Sequence, residues 1–240
     1  MTKPIRIIGA GLAGSEAAWQ CARRGVAVEL FEMRPVRSTP AHQTGNFAEL
    51  VCSNSLKSDT ENTAPWLLKE EMRRAGSLLI QIARDTSVPA GHALAVDREK
   101  FSEAVTKAIQ REPLIRVVRE EVTAIDENNA ITIVASGPVT SDALSREILL
   151  LSGSKQLYFY DSISPIVEAD SIDMSRVYMA ARYDKGSADY INCPMTPDEY
   201  GRFYDELLAA QSVEERDWEK LNYFEGCLPI EEIARRGRSG

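Results

Sequence analysis

A chain of 240 residues, 44% hydrophobic and 27% charged, carries enough apolar mass for a packed core and has room for one large domain or two small ones. No apolar run approaches the roughly 18 residues that cross a bilayer, and the start runs straight into a strand pattern rather than a signal peptide, so a cytoplasmic protein without membrane segments is expected. Four scattered cysteines (Cys21, Cys52, Cys193, Cys227) without a C-x-x-C pair, and only two histidines, argue against a zinc site, while a net charge of −8 gives no bulk signal for nucleic acid.

Residues 4–32, PIRIIGAGLAGSEAAWQCARRGVAVELFE, read as one β-α-β unit. Ile5 to Ile8 form a short buried strand. Gly9, Gly11 and Gly14 follow as G-x-G-x-x-G and open an alanine-rich helix to about Arg24, with Gly25 placed to cap it. VAVELF is the second strand, and Glu32 stands at its carboxyl end. Gly9 serves the tight turn, Gly11 lets a pyrophosphate approach the backbone, and Gly14 lets helix pack close to strand. The segment Gly9, Ala10, Gly11, Leu12, Ala13 and Gly14 is therefore the candidate dinucleotide site, with free N–H groups at the helix start for phosphate and Glu32 for ribose hydroxyls. Cys21 shares a helix face with Gly14, Ala17 and Ala18 and is expected in the core.

After Glu32 the chain shows no periodic pattern until Trp66. Such a structureless stretch of about thirty residues is usually functional, and it suits the lining of a flavin better than a simple NAD site. Within it, Cys52 lies among small polar residues. A reactive thiolate needs a helix N-terminus or a cation, and Ser53 as a cap with Lys57 about one turn on meet that need.

APWLLKEEMRRAG is predicted helical with Pro65 in its first turn, and SLLIQIARD continues that helix past Gly76. HALAVD is a strand, after which Asp97 caps the helix REKFSEAVTKAIQ, with Phe101, Val105 and Ile109 on one face. IRVVREEVTAI and AITIVAS are strands, ASGPVTS a Gly-Pro turn, and TSDALSREILLLSG a helix. These elements give a nucleotide-binding domain over residues 1–154. From Lys155 the composition turns to short strands, which places an inserted domain over residues 155–240. There TPDEYGRFYDELLAA is a helix with a Thr196/Glu199 capping box, Pro197 at its first position, and a core stripe of Tyr200, Phe203, Tyr204 and Leu207. Cys193 is read as structural. Trp218 either stacks on a ring or covers apolar surface, and Arg73, Arg74, Arg116 and Arg119 are either local basic patches or solvated charge.

The strings IIGAGLAGSEAAWQ, FEMRP, TPAHQTGNFAELVCSNSLKS, HALAVDREKF, DSISPIV, RYDKG, YINCPM and YFEGCLPIEE closely resemble the N-terminal part of the folate- and FAD-dependent tRNA (uracil-5-)-methyltransferase (TrmFO) family. A more distant likeness is to GidA/MnmG flavoproteins. The resemblance implies an α/β fold, a Rossmann-like FAD-binding domain of the glutathione-reductase type with an inserted, here incomplete, α+β substrate domain. Ser136 takes the place of the threonine in the Ala-Thr-Gly turn that flavoproteins set near the dinucleotide. It further implies FAD reduced by NADPH or NADH, 5,10-methylenetetrahydrofolate as one-carbon donor, and C5 of a uridine in the TΨC loop of tRNA as acceptor, with no metal. Cys52 and Cys227 match the family's two participating cysteines. C5 of uracil is a poor nucleophile until a thiolate adds at C6, a second group removes the C5 proton, and hydride completes the methyl. The division of those roles between the two thiols stays open, and a uridine inside a folded loop must be extruded to reach them. Family members are longer than this chain, so a non-catalytic FAD-binding fragment is the alternative expectation, with a generic flavin oxidoreductase a third.

Overall fold

A computed structural model of the chain describes residues 3–126, 130–154, 167–181, 186–211 and 228–237. Four short strands, β1 (Ile5–Ile8), β2 (Val28–Phe31), β6 (Ile115–Val118) and β7 (Thr132–Val134), form a parallel sheet in the order β6-β2-β1-β7. Their apolar runs suit a sheet covered on both faces. Register assigns the side chains, because alternate residues point to opposite faces. Ile7 lies opposite Leu30 and Ile133, and Leu30 opposite Val117, so this row enters the main core. Ile8, Phe31 and Val118 form the neighbouring row and meet Leu144 and Ile148 of α5 (Asp142–Ser152) on the other face.

Helix α1 (Leu12–Ala22) joins β1 to β2 and packs on α3 (Leu78–Asp85) and α4 (Arg98–Arg111). Phe101, Val105 and Ile109 of α4 are fully buried as their spacing predicts, and Asp97 caps that helix by accepting from the Lys100 N–H at 3.1 Å. Each such side chain contributes about 1.5–3 kcal/mol relative to exposure. A second, antiparallel sheet of order β3-β5-β4 combines β3 (Ser55–Ser58), β4 (Ser87–Val88) and β5 (Ala93–Val96). A hairpin of β8 (Tyr178–Ala180) and β9 (Tyr190–Asn192) touches the turn before β5, where Asp189 accepts from the Gly91 N–H at 2.7 Å and the Tyr190 hydroxyl donates to Ala90 O at 3.0 Å.

Several expectations are corrected. The single helix predicted across Gly76 is two, α2 (Ala64–Arg74) and α3. Gly76 takes φ 75°, and Ser77 caps α3 by accepting from the Ile80 N–H at 3.2 Å. A tertiary contact fixes the break, since Glu16 on α1 accepts from the Ser77 hydroxyl at 2.8 Å and the Leu79 N–H at 3.1 Å. The stretch after Glu32 is not structureless, because β3 pairs with β5. The strand predicted from Ile115 ends at Val118. Helix α6 (Pro197–Ala209) has the predicted capping box, but none of its residues is buried, and Tyr200 and Phe203 are 44% and 40% exposed. It packs against the short α7 (Ile230–Arg235), with the Tyr204 hydroxyl donating to Ala234 O at 2.7 Å.

The fully buried Ser145 hydroxyl on α5 has no hydrogen-bond partner among the described residues. An orphaned buried hydroxyl costs about 1–3 kcal/mol. Ser145→Ala is therefore expected to raise stability by about 1 kcal/mol in urea denaturation.

Candidate functional site

The glycine loop is fixed by backbone contact. Gly9 adopts φ 98°, and a Cβ there would lie 2.7 Å from Ala135 O. A Cβ on Gly14 would fall 1.8 Å from Gly9 O, so helix and strand approach as closely as the fingerprint predicts. Gly11 differs, since a Cβ there would meet nothing within 4 Å. Gly11 is also the N-cap of α1, with no side-chain cap and no acidic residue in the first turn. The N–H groups of Leu12, Ala13 and Gly14 thus begin a helix with open space before them, and the positive end of the dipole is not neutralised. These features fit a pyrophosphate. Beside Gly9, the 135–136 turn carries Ser136, whose hydroxyl oxygen accepts from Thr140 at 2.7 Å.

Glu32 stands where the second strand was expected to place it, but it is buried and its carboxylate is saturated. One oxygen accepts from the Arg34 N–H and Nε at 3.0 and 2.9 Å. The other accepts from the Ala10 N–H at 3.0 Å and Arg34 Nη2 at 3.2 Å. Four donors fill the four lone-pair positions of a carboxylate, so a ribose diol must replace one of these bonds to reach it. Burial pushes the Glu32 carboxyl toward its neutral form, yet the Arg34 guanidinium and the backbone N–H groups outweigh it and hold the group below its ordinary value.

Arg34 continues the network through Nη1, which donates to Glu49 at 3.0 Å and to Thr44 O at 3.3 Å. Glu49 in turn accepts from the Gln43 and Thr44 N–H groups at 2.8 and 3.1 Å. Arg119 donates to Arg34 O at 2.6 Å and Gly45 O at 2.8 Å, with its guanidinium 4.3 Å above the buried Phe47 ring. The Ala48 N–H donates to Ala10 O at 2.9 Å. Residues 43–50 are thereby seated on the glycine loop.

This seated segment leads into Cys52, which is exposed. The expected helix after it is absent. Ser53 accepts from the Ser55 N–H at 3.1 Å in a turn, because Asn54 exchanges bonds with Val96 at 3.0 Å and draws the chain onto the edge of β5. Arg98 reaches the backbone here, its Nη2 donating to Cys52 O at 3.3 Å. Cys227, its expected partner, and Trp218 lie outside the described residues. Cys21 packs against the core as predicted, whereas Cys193, read as structural, is exposed. The four arginines read as basic patches or as solvated charge are engaged in ion pairs or backbone contacts. Glu70 pairs with both Arg73 and Arg74, which hold its carboxyl down to about 2, Arg116 pairs with Glu29, and Arg119 points inward. Among the described residues no cluster of three or more metal-ligating side chains occurs, and no helix is long and apolar enough to cross a membrane.

The sequence reading missed Arg34 and Arg98, and read Arg119 as patch or solvated charge rather than as an inward contact. Arg34 had a signal, a cation two residues past an acid at a strand end. The other two are brought to the site from far along the chain.

The family model described as glucose inhibited division protein A matches residues 4–239. The methylenetetrahydrofolate–tRNA-(uracil-5-)-methyltransferase TrmFO of Koribacter versatilis is 76% identical over 238 residues, covering 99% of this chain and 54% of that protein. Proteins of the same name from Solibacter usitatus and Anoxybacillus flavithermus are 62% and 57% identical, covering 99% and 98% of this chain and 54% of each relative. The chain spans about half the length of the curated relatives it matches.

Arg34→Met leaves a buried carboxylate without its cation, which is expected to cost about 3–5 kcal/mol near neutral pH. Because the folded Glu32 carboxyl is held below 4.5, the stability of its ionised form is present above that value and lost as pH falls through the lower folded value. Denaturation curves of both proteins should therefore converge on acidification. A constant difference across that range would show that Glu32 does not carry the effect.

Proposed function

The chain belongs to the glucose inhibited division protein A family, and we propose that it forms the FAD-binding part of an enzyme that methylates uridine C5 in the TΨC loop of tRNA, in the cytoplasm, with 5,10-methylenetetrahydrofolate as carbon donor and NADPH or NADH as reductant. The observation that carries this reading is 76% identity, over 99% of the chain, to a protein named for folate-dependent tRNA uracil-5 methylation.

The residues support FAD at the glycine loop. Leu12, Ala13 and Gly14 would hold the pyrophosphate by their N–H groups, Gly11 gives it room, and Glu32 would take ribose hydroxyls in exchange for a bond to Arg34 or Ala10. When bound, FAD supplies the hydride that completes the methyl group. Cys52, exposed just beyond the segment seated on that loop, would act on the base, with the addition at C6 and removal of the C5 proton divided between it and Cys227. A second reading, a non-catalytic FAD-binding unit, is favoured by apolar surface at Tyr178, Met179, Ile191 and Phe203, which are 55%, 47%, 42% and 40% exposed.

The visible spectrum of the purified chain is the test of cofactor binding. A flavin band is expected, and Gly14→Ala should lose it because the new methyl collides with Gly9 O. With flavin present, folate, reductant and unmodified tRNA should give methylated uridine, and Cys52→Ala should keep the band while the rate falls on the order of 100-fold or more. No band after adding FAD would overturn the cofactor assignment. A band without methylation would favour the non-catalytic unit.

A further inference from the structure

Lys57 occupies the left-handed region at φ 63°, a conformation that long side chains rarely adopt and that clusters at functional sites. Its surroundings hold it there. It falls within the register shift between Ser55 and Ser58, where β3 pairs with β5, and such a bulge re-aims a side chain. The carbonyls on either side, Leu56 O and Ser58 O, accept from the ammonium of Lys69 at 3.0 and 2.6 Å, and Lys69 also donates to Pro65 O at 3.1 Å. Lys69 itself is only 4% exposed. The Lys57 N–H donates to Ser55 Oγ at 3.2 Å. A buried ammonium thus fixes the backbone that presents an exposed one.

Several cations of α2 and α4 are paired with carboxylates, whereas Arg98 donates to a carbonyl. Lys69 pairs with Asp59, Arg73 and Arg74 with Glu70, and Lys100 with Asp97. Lys57 has no carboxylate within ion-pair distance among the described residues. It lies on the same short segment as Cys52, at whose carbonyl Arg98 ends. An unneutralised ammonium on a fixed backbone, five residues along the chain from Cys52, suits a group that brings negative charge to this surface. We infer that Lys57 contacts a backbone phosphate of the tRNA next to the uridine offered to Cys52. This rests on the reading of the protein as a tRNA-modifying enzyme. A lysine and a bulge on an edge strand also discourage strand-to-strand association, a role that glutamate at this position would fill equally well.

The test is binding of fluorescently labelled, unmodified tRNA to the flavin-loaded protein at a series of salt concentrations. Lys57→Asn and Lys57→Gly suit the left-handed backbone, so they remove the charge without adding strain. Both should bind tRNA more weakly, with the slope of log K against log salt reduced by about 1, while melting temperature is unchanged or raised. Lys57→Arg should keep the wild-type slope, and Lys57→Glu should weaken binding further. Flavin affinity should be the same throughout. A wild-type slope in Lys57→Asn, or wild-type affinity in Lys57→Glu, would overturn the contact while leaving the tRNA reading intact. Loss of flavin affinity with an unchanged slope would assign Lys57 to the cofactor pyrophosphate instead and overturn it too. If the wild-type protein does not bind tRNA, the functional reading fails and the contact fails with it.

Discussion

The buried carboxylate of Glu32 ties together three pieces of chain that have no local reason to meet. It takes the Ala10 N–H from the glycine loop and most of the Arg34 guanidinium, whose remaining nitrogen reaches Glu49 and Thr44. Taking charges out of water costs several kcal/mol per ion, and a buried pair returns that only with near-complete hydrogen bonding. Here each side-chain nitrogen of Arg34 and each carboxylate oxygen of Glu32 has at least one partner, so the network's main effect is geometric. It holds the loop, the end of β2 and residues 43–50 in one relative arrangement. Any ligand that engages Glu32 must exchange with a bond already made, which couples the dinucleotide site to the segment leading to Cys52.

That coupling gives the exposed thiol a defined address. Ala48 hangs from Ala10, Phe47 is anchored by its N–H to Thr106 at 2.8 Å and covered by Arg119, and Asn54 then locks the chain to β5. Between these anchors Cys52 remains at the surface. A side chain on a segment anchored at both ends keeps its place without being buried itself. Beyond it, Lys69 does for the backbone at Lys57 what Arg34 does for the backbone at Thr44. In both cases a buried cation fixes irregular backbone by satisfying acceptors that no ladder reaches.

Far from this centre the packing thins. Helix α6 carries a strong cap and a clear apolar stripe, yet none of its residues is buried, and the β8–β9 hairpin leaves Tyr178 and Met179 in solvent. Local signals were strong enough to form the helix. They carry no information about what covers it.

What the sequence determined by itself was whatever depends on residues close along the chain. The β-α-β unit, the roles of Gly9 and Gly14, the caps at Asp97 and Thr196, and the buried stripe of α4 follow from steric limits and short-range periodicity, and each appears where predicted. What the tertiary structure decided was every feature that needs a distant partner. Glu16 broke one predicted helix into α2 and α3. Val96 turned the segment after Cys52 into a strand where a cap had suggested a helix, and Arg98 and Arg119 arrived at the site from residues far along the chain. Local propensities differ by less than 1 kcal/mol per residue, whereas a buried hydrogen bond left unmade costs about 1–3 kcal/mol, so where the two disagreed the distant partner prevailed.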